Sequence, residues 1–287
     1  MTILVTGATG RIGSLVVERL AGKGVTVKAL ARNPDKLRAP ADVIPVKGDM
    51  TDIASMKKAL EGVDTLFLIN AVIPDEVTQA LLTLDLAREA GIQRIVYFSV
   101  FNSALGVDVP HFAGKFLVER VIDSFAIPAT VLRPAYFMQN DTALLDAIKQ
   151  GVYPQPVGQR GVAMVDERDV ADAAAAELLR RERSAHPLPR NTIELVGPDT
   201  LTGDDLARLW TDVLGRQVQY GGDDLAAFEQ QTAQFLPAWQ ARDLRIMLRS
   251  FHSYGMVPAA DVRPTLEALI GHPLRSYRDF AREITQG

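Results

Sequence analysis

The stretch from Val5 to Gly13, VTGATGRIG, constrains this chain more than any other. Gly7, Gly10 and Gly13 recur every third residue, directly after the apolar run Ile3–Val5. A strand that enters such a turn and leaves it as a helix presents unpaired backbone N–H groups. It also presents the positive end of a helix dipole, and the two together suit an anion. In this reading Gly7 permits the tight turn and Gly10 lets the backbone approach a phosphate. Gly13 allows the helix to pack closely on the strand. Thr9, Arg11 and Ile12 share the turn and the first helical residues, and they join the candidate phosphate-binding set. The plainer alternative is a tight turn with no ligand.

The residues after the turn favour a ligand. Strand-like runs at Thr2–Val5, Val25–Ala31, Asp64–Ile69, Arg94–Ser99 and Ala129–Arg133 alternate with helical patterns at Gly13–Gly22, Ser55–Leu60, Thr78–Ala90 and Phe112–Ser124. A further strand is expected before KGDMTD. Runs such as TLFLI and RIVYFSV are continuously apolar, as strands are when both sheet faces are covered. The alternation predicts an α/β fold, a Rossmann-like doubly wound parallel sheet, with a dinucleotide-binding domain over residues 1–150. Past that point the pattern changes. QGVYPQPVGQRG reads as a loop and DERDVADAAAAELL as a helix, with a short strand at Thr192–Val196. LTGDDLARLWTDVLG reads as another helix, with Thr202 and Asp205 at capping-box spacing. Residues 224–252 read as one or two helices. Residues 151–287 are expected to form a smaller, mostly helical substrate-binding lobe, some segments returning to the sheet. Ligands of open α/β sheets bind at the carboxyl edge.

The second strand selects the cofactor. An NAD site places an acid about 20 residues on, to hold the ribose 2′-hydroxyl. Here the segment reads KALARNPDKL, and Arg32 stands where that acid would be. A guanidinium offers a planar fork of donors to a 2′-phosphate, so NADP(H) is expected over NAD. Asn33 and Lys36 are candidate helpers. The competing reading makes Arg32 a solvated loop residue. Asp49 and Met50 after the third strand, and Asn70 and Ala71 after the fourth, are expected to complete the cofactor wall.

Other functions are disfavoured by composition. A net charge of −4 provides no basic field for nucleic acid. With no cysteine, and with His111, His186, His252 and His272 scattered, no metal site is expected. No apolar run approaches the ~18 residues of a membrane span. The chain enters its first strand without a charged leader, so a cytoplasmic protein, monomer or homodimer, is expected.

Together, VTGATGRIG, ARNPDKL, GDMTD, RIVYFSV and VLRPAYFMQN resemble the NmrA-like family of atypical short-chain dehydrogenase/reductases. The likeness runs on through LTGDDLARLWTDVLGRQVQY and LEALIGHPLRSYRDFARE, nearly the whole chain. It implies a Rossmann fold and NADP(H) binding. Its members include quinone reductases, azoreductases and redox-sensing regulators without turnover. By the same resemblance Ser99, Lys115, Pro134 and Tyr136 are expected near the nicotinamide half of the cofactor, and Asn140 and Asp169 match family positions. The chain departs from ordinary short-chain reductases at HFAGK. Lys115 stands in place, but the Tyr of Tyr-x3-Lys is replaced by His111, one helical turn away on the same face. Ser99 and Ser103 are both candidates for the serine partner. Asp169 is also read as a helix-start residue. His111 is a candidate proton donor, since an ordinary imidazole titrates near neutrality; packing at the cleft mouth is the alternative.

A missing Tyr favours an easily reduced acceptor. Hydride addition to a simple ketone makes an alkoxide, with a conjugate acid near the ~16 of water. Addition to a quinone makes a phenolate-type anion, nearer the ~10 of tyrosine. A quinone thus asks less of a catalytic acid. The expected substrate is a quinone or related aromatic or conjugated carbonyl compound. Phe101, Tyr136, Phe137 and Trp239 are candidates for its wall, with core packing the competing reading for Trp239. Two alternatives are an NADP(H)-binding redox sensor without turnover and a double-bond reductase of the isoflavone-reductase type.

Overall fold

A computed structural model describes residues 1–286, except the side chain of Lys36. The strands are β1 (Thr2–Val5), β2 (Thr26–Ala31), β3 (Val43–Lys47), β4 (Thr65–Leu68), β5 (Arg94–Phe98), β6 (Ala129–Pro134), β7 (Val152–Tyr153), β8 (Asn191–Leu195) and β9 (Gln219–Tyr220). The helices are α1 (Arg11–Leu20), α2 (Ile53–Leu60), α3 (Glu76–Glu89), α4 (Pro110–Ser124), α5 (Leu145–Lys149), α6 (Glu167–Arg183), α7 (Gly203–Leu214), α8 (Leu225–Thr232), α9 (Ala238–Tyr254), α10 (Arg263–Ile270) and α11 (Tyr277–Gln286).

The chain forms two compact units, each gathered from separated segments. The first comprises residues 1–100, 114–133 and 170–193. The second comprises 101–113, 134–169 and the described residues from Glu194 onward. The expected division at residue 150 falls within the 134–169 segment.

The first unit is built on the sheet. Among the described residues seven strands run in the order β3-β2-β1-β4-β5-β6-β8. β1 pairs in parallel with both β2 and β4, Ile3 standing opposite Val27 on one side and Thr65 on the other. The chain builds outward from β1 to one edge, then returns to β4 and builds to the other. That reversal is the point where open α/β sheets bind ligands. Strand residues alternate between faces. Leu4, Leu66, Ile95 and Tyr97 join Met56, Leu84, Val118 and Ile122 in one buried cluster, so α2, α3 and α4 cover that face. Thr65 and Thr130 point the other way and donate to Glu182 and Glu177 of α6. Arg19 of α1 pairs with Asp172 of α6 at 2.6 Å, which places both helices on this second face. The doubly wound sheet expected from the sequence is therefore present. Pro45 within β3 is tolerated because β3 is an edge strand.

The second unit is mainly helical. Thr202 and Asp205 form the expected capping box of α7, with reciprocal bonds of 3.2 and 2.9 Å. Trp210 on that helix is fully buried and donates from Nε1 to the Tyr277 hydroxyl at 3.1 Å. The stretch expected to be a loop before α6 contains β7, paired in parallel with β9.

Candidate active site

The end of β1 is tied to the end of β4. The Thr6 hydroxyl donates to the Ile69 carbonyl and accepts from the Ile69 N–H, both at 2.8 Å. Gly7 then adopts a φ of +56°, in the left-handed region that favours glycine. The Gly10 N–H closes the turn on the Gly7 carbonyl at 2.9 Å. A Cβ on Gly13 would lie 2.2 Å from that same carbonyl oxygen. Gly13 therefore packs the helix against the turn itself, a correction to the expected helix-on-strand approach. The N-terminus of α1 is capped by no side chain, and its first turn holds no acid. α2 is capped by Asp52 and α8 by Asp224, while α3, α9 and α10 also lack a side-chain cap, so what sets α1 apart is the glycine turn in front of it. The terminus behind the glycine turn is open to an outside anion.

Eight candidate cofactor residues line one cleft of the first unit: Gly7, Thr9, Gly10, Arg32, Asp49, Met50, Asn70 and Ala71. The buried Ile12 and Gly13 sit behind it, in α1. Exposed Arg11 opens that helix. Arg32 is exposed and makes no ion pair or hydrogen bond among the described residues. It also borders a second depression, whose rim carries Lys28, Lys47 and Lys58. The Asp49 carboxylate accepts from the Thr51 N–H at 2.9 Å and from its hydroxyl at 2.7 Å. Those bonds, with a lesser pull from Arg32, hold its carboxyl below the ordinary carboxylate value. Asn33 caps the turn after β2 by accepting from the Asp35 N–H at 3.2 Å; the Lys36 side chain lies outside the described residues.

Lys115 is almost fully buried. Its Nζ donates to Glu76 Oε1 at 2.7 Å and approaches the Phe98 carbonyl at 3.5 Å. Ser99, one of the two candidates for the serine partner, is 1% exposed and donates its hydroxyl to Glu119, which also pairs with Arg133. Its side chain belongs to this buried network.

In the second unit His111 lies near the start of α4. Its backbone N–H donates to Asp243 Oδ1 at 3.1 Å, and its Nδ1 bonds Asp243 Oδ2. The Phe112 ring meets the imidazole edge-on, 4.7 Å between centroids. Pro134 ends β6, where its carbonyl accepts from the Phe101 N–H at 2.9 Å. Phe101 is 1% exposed, so the structure assigns it to the core rather than to a substrate wall. Tyr136 and Phe137 are half-buried. Tyr136 packs edge-on against Phe251 at 5.7 Å, and its hydroxyl accepts from Gln155 at 2.8 Å. Trp239 is 43% exposed, which removes the core reading for it, whereas Phe251 is buried. Asp169 accepts from the Arg275 N–H at 2.8 Å and pairs with its guanidinium, a structural role at the start of α6.

The model of the NmrA-like family matches residues 1–277. The chain belongs to the NmrA-like family. It is 29% identical to an NAD(P)H azoreductase of Xenophilus azovorans, over 98% of this chain and 96% of that one. It is 31% identical to a (4-alkanoyl-5-oxo-2,5-dihydrofuran-3-yl)methyl phosphate reductase of Streptomyces griseus, over 98% and 97%. Among solved structures it resembles the NADPH-dependent quinone oxidoreductase of Escherichia coli in complex with NADPH. The TM-score is 0.87 at 27% identity, covering 99% of this chain and 100% of that one.

Within this NmrA-like chain the sequence reading missed Glu76 and Asp243, the two carboxylates that fix Lys115 and His111. Each lies far along the chain from its partner, by 39 and 132 residues. Neither belongs to a local motif. No helix among the described residues is long and apolar enough to cross a membrane.

Proposed function

We propose that this chain is an NADPH-dependent oxidoreductase acting on a quinone or a related aromatic or conjugated carbonyl compound. One observation carries the reading: a glycine turn with no side-chain cap shares a cleft with Arg32, a guanidinium that makes no hydrogen bond or ion pair among the described residues. The turn suits a diphosphate, since open N–H groups and a helix dipole converge there. Arg32 suits the 2′-phosphate that distinguishes NADPH. The turn itself requires its glycines, because Gly7 has a φ of +56° and a Cβ at Gly13 would lie 2.2 Å from the Gly7 oxygen. The azoreductase, quinone oxidoreductase and dihydrofuranone phosphate reductase activities of the relatives support a conjugated acceptor.

Bound in this cleft, NADPH supplies the hydride. Lys115, fixed by Glu76, is assigned to the nicotinamide ribose. His111, which replaces the usual Tyr, is assigned the proton that neutralises the reduced acceptor. Tyr136, Phe137 and Trp239, in the second unit, offer aromatic surface to a flat guest.

A redox sensor would need the same cleft but no proton donor. The anchored imidazole of His111 favours turnover. The test is NADPH consumption, followed by its near-ultraviolet absorbance, across a panel of quinones. Consumption with at least one quinone is expected. Tight NADPH binding with no consumption across the panel would replace the enzyme with the sensor.

A further inference from the structure

The His111 imidazole is gripped at one nitrogen and unbonded at the other among the described residues. Asp243 Oδ2 bonds Nδ1 while Oδ1 takes the backbone N–H of the same residue at 3.1 Å, so one carboxylate fixes both ring and main chain. The Asp243 side chain is 2% exposed and that of His111 11%. Phe112 closes one side of the ring. Nε2 has no hydrogen bond among the described residues. The next ion pair between the α4 approach and α9, Asp108 with Arg249 at 2.7 Å, is internally neutral. Asp243 is thus the carboxylate that meets this imidazole.

We propose that Asp243 is a positioning residue that sets His111 as the proton donor of the reductase, with Nδ1–H held inward and Nε2 presented to the substrate. The inference rests on the functional reading above and deepens it. A carboxylate accepts only, so it demands a hydrogen on Nδ1 in either protonation state of the ring. The acidic proton of the imidazolium is then the one on Nε2. Hydride addition turns a quinone into the hydroquinone monoanion. The oxyanion takes the Nε2 proton, the N–H bonding pair stays on Nε2, and hydroquinone leaves. Neutral imidazole, still Nδ1–H, regains its proton from solvent. Asp243 orients the ring and takes no part in the proton transfer itself, as the carboxylate does in other His–Asp pairs. Helix capping alone would account for the bond to the His111 main chain, but not for the second oxygen on Nδ1.

The test pairs spectroscopy with kinetics. In wild-type protein, imidazole nitrogen resonances assigned by comparison with His111→Phe should report the Nδ1–H tautomer for neutral His111. Asp243→Asn keeps an acceptor for the backbone N–H but turns an amide donor toward Nδ1. It should place the hydrogen on Nε2 and lower kcat about 100-fold, leaving NADPH affinity and the unfolding midpoint near wild type. His111→Phe should lose as much as Asp243→Asn. The double variant should lose no more than either alone, because the two act as one unit. An Nε2–H tautomer in the wild type, an unchanged kcat in Asp243→Asn, or losses that multiply in the double variant would each overturn the proposal. If Asp243→Asn does not fold, the wild-type tautomer still decides. If no quinone consumes NADPH, the functional reading fails, while the tautomer measurement separately reports whether Asp243 sets the ring.

Discussion

Lys115 Nζ and Glu76 Oε1 stand 2.7 Å apart with side chains 7% and 8% exposed, a buried ion pair joining α4 to the start of α3. Removing one member of such a pair strands the other without water. Lys115→Met should therefore destabilise the fold by about 3–5 kcal/mol. Adding Glu76→Leu to it should recover much of that loss, since a matched apolar pair carries no stranded charge. Urea unfolding of the two variants measures the difference. Equal instability in both would mean that the charge of Glu76 is solvated some other way. The double variant should still be a poor reductase, which separates the role of Lys115 in stability from its role at the ribose.

Arg32 is the group on which cofactor choice turns. Arg32→Ala removes charge-assisted bonds worth about 1.5–3 kcal/mol. NADPH affinity should fall by about 10–100-fold while NADH affinity hardly changes. Calorimetric titration of both cofactors into both proteins checks this. A parallel loss for NADH would move Arg32 off the 2′-phosphate.

How far the sequence could be read depended on how local each signal was. The glycine turn and Arg32 are each signalled within a few consecutive residues, whereas the roles expected of His111 and Lys115 came only with the resemblance to short-chain reductases. β3 was only implied, because VIPVK is interrupted by Pro45 and lies at an edge with three of its residues exposed to solvent. β7 and β9, two residues each, are too short to show a period. The aromatic residues were legible as apolar but not as wall or core. Phe101 went inward and Trp239 stayed out, a choice made by chain neighbours distant in sequence. Glu76, Asp243 and Glu119 were illegible for the same reason. A carboxylate that pairs with something far along the chain looks, in one dimension, like any surface acid.

The glycines of the turn separate stability from binding. Gly13→Ala would put a Cβ 2.2 Å from the Gly7 oxygen and 2.8 Å from its carbonyl carbon. Those neighbours are backbone, so α1 must shift, at a cost of about 1–3 kcal/mol or more. Gly10→Ala meets only the Gly7 oxygen, at 3.2 Å, and Gly10 has a negative φ. It should cost much less stability than Gly13→Ala yet weaken NADPH binding, since the added methyl stands where the diphosphate is proposed to approach. Thermal unfolding alongside NADPH titration tells the two apart. Undiminished NADPH affinity in Gly10→Ala would place the phosphates elsewhere.

Asp141 gives the second unit a pH-dependent stability. Its carboxyl is fully buried, and Oδ2 accepts from the Tyr153 hydroxyl at 2.8 Å and the Tyr277 hydroxyl at 2.5 Å. Oδ1 has no hydrogen-bond partner among the described residues. Burial raises the pKa to about 6, and the two tyrosines offset only part of that. An ordinary aspartic acid titrates near ~3.9 when the chain is unfolded. Between those values the folded protein binds the proton and the unfolded chain does not, so stability falls as pH rises from about 4 to about 6 and is level above. Two units at about 1.4 kcal/mol each make the loss roughly 3 kcal/mol. Asp141→Asn cannot ionise and should lack this part of the slope. Urea unfolding of both proteins at several pH values across that window measures the contrast. Parallel curves would mean that Asp141 ionises in the folded state as readily as it does in water.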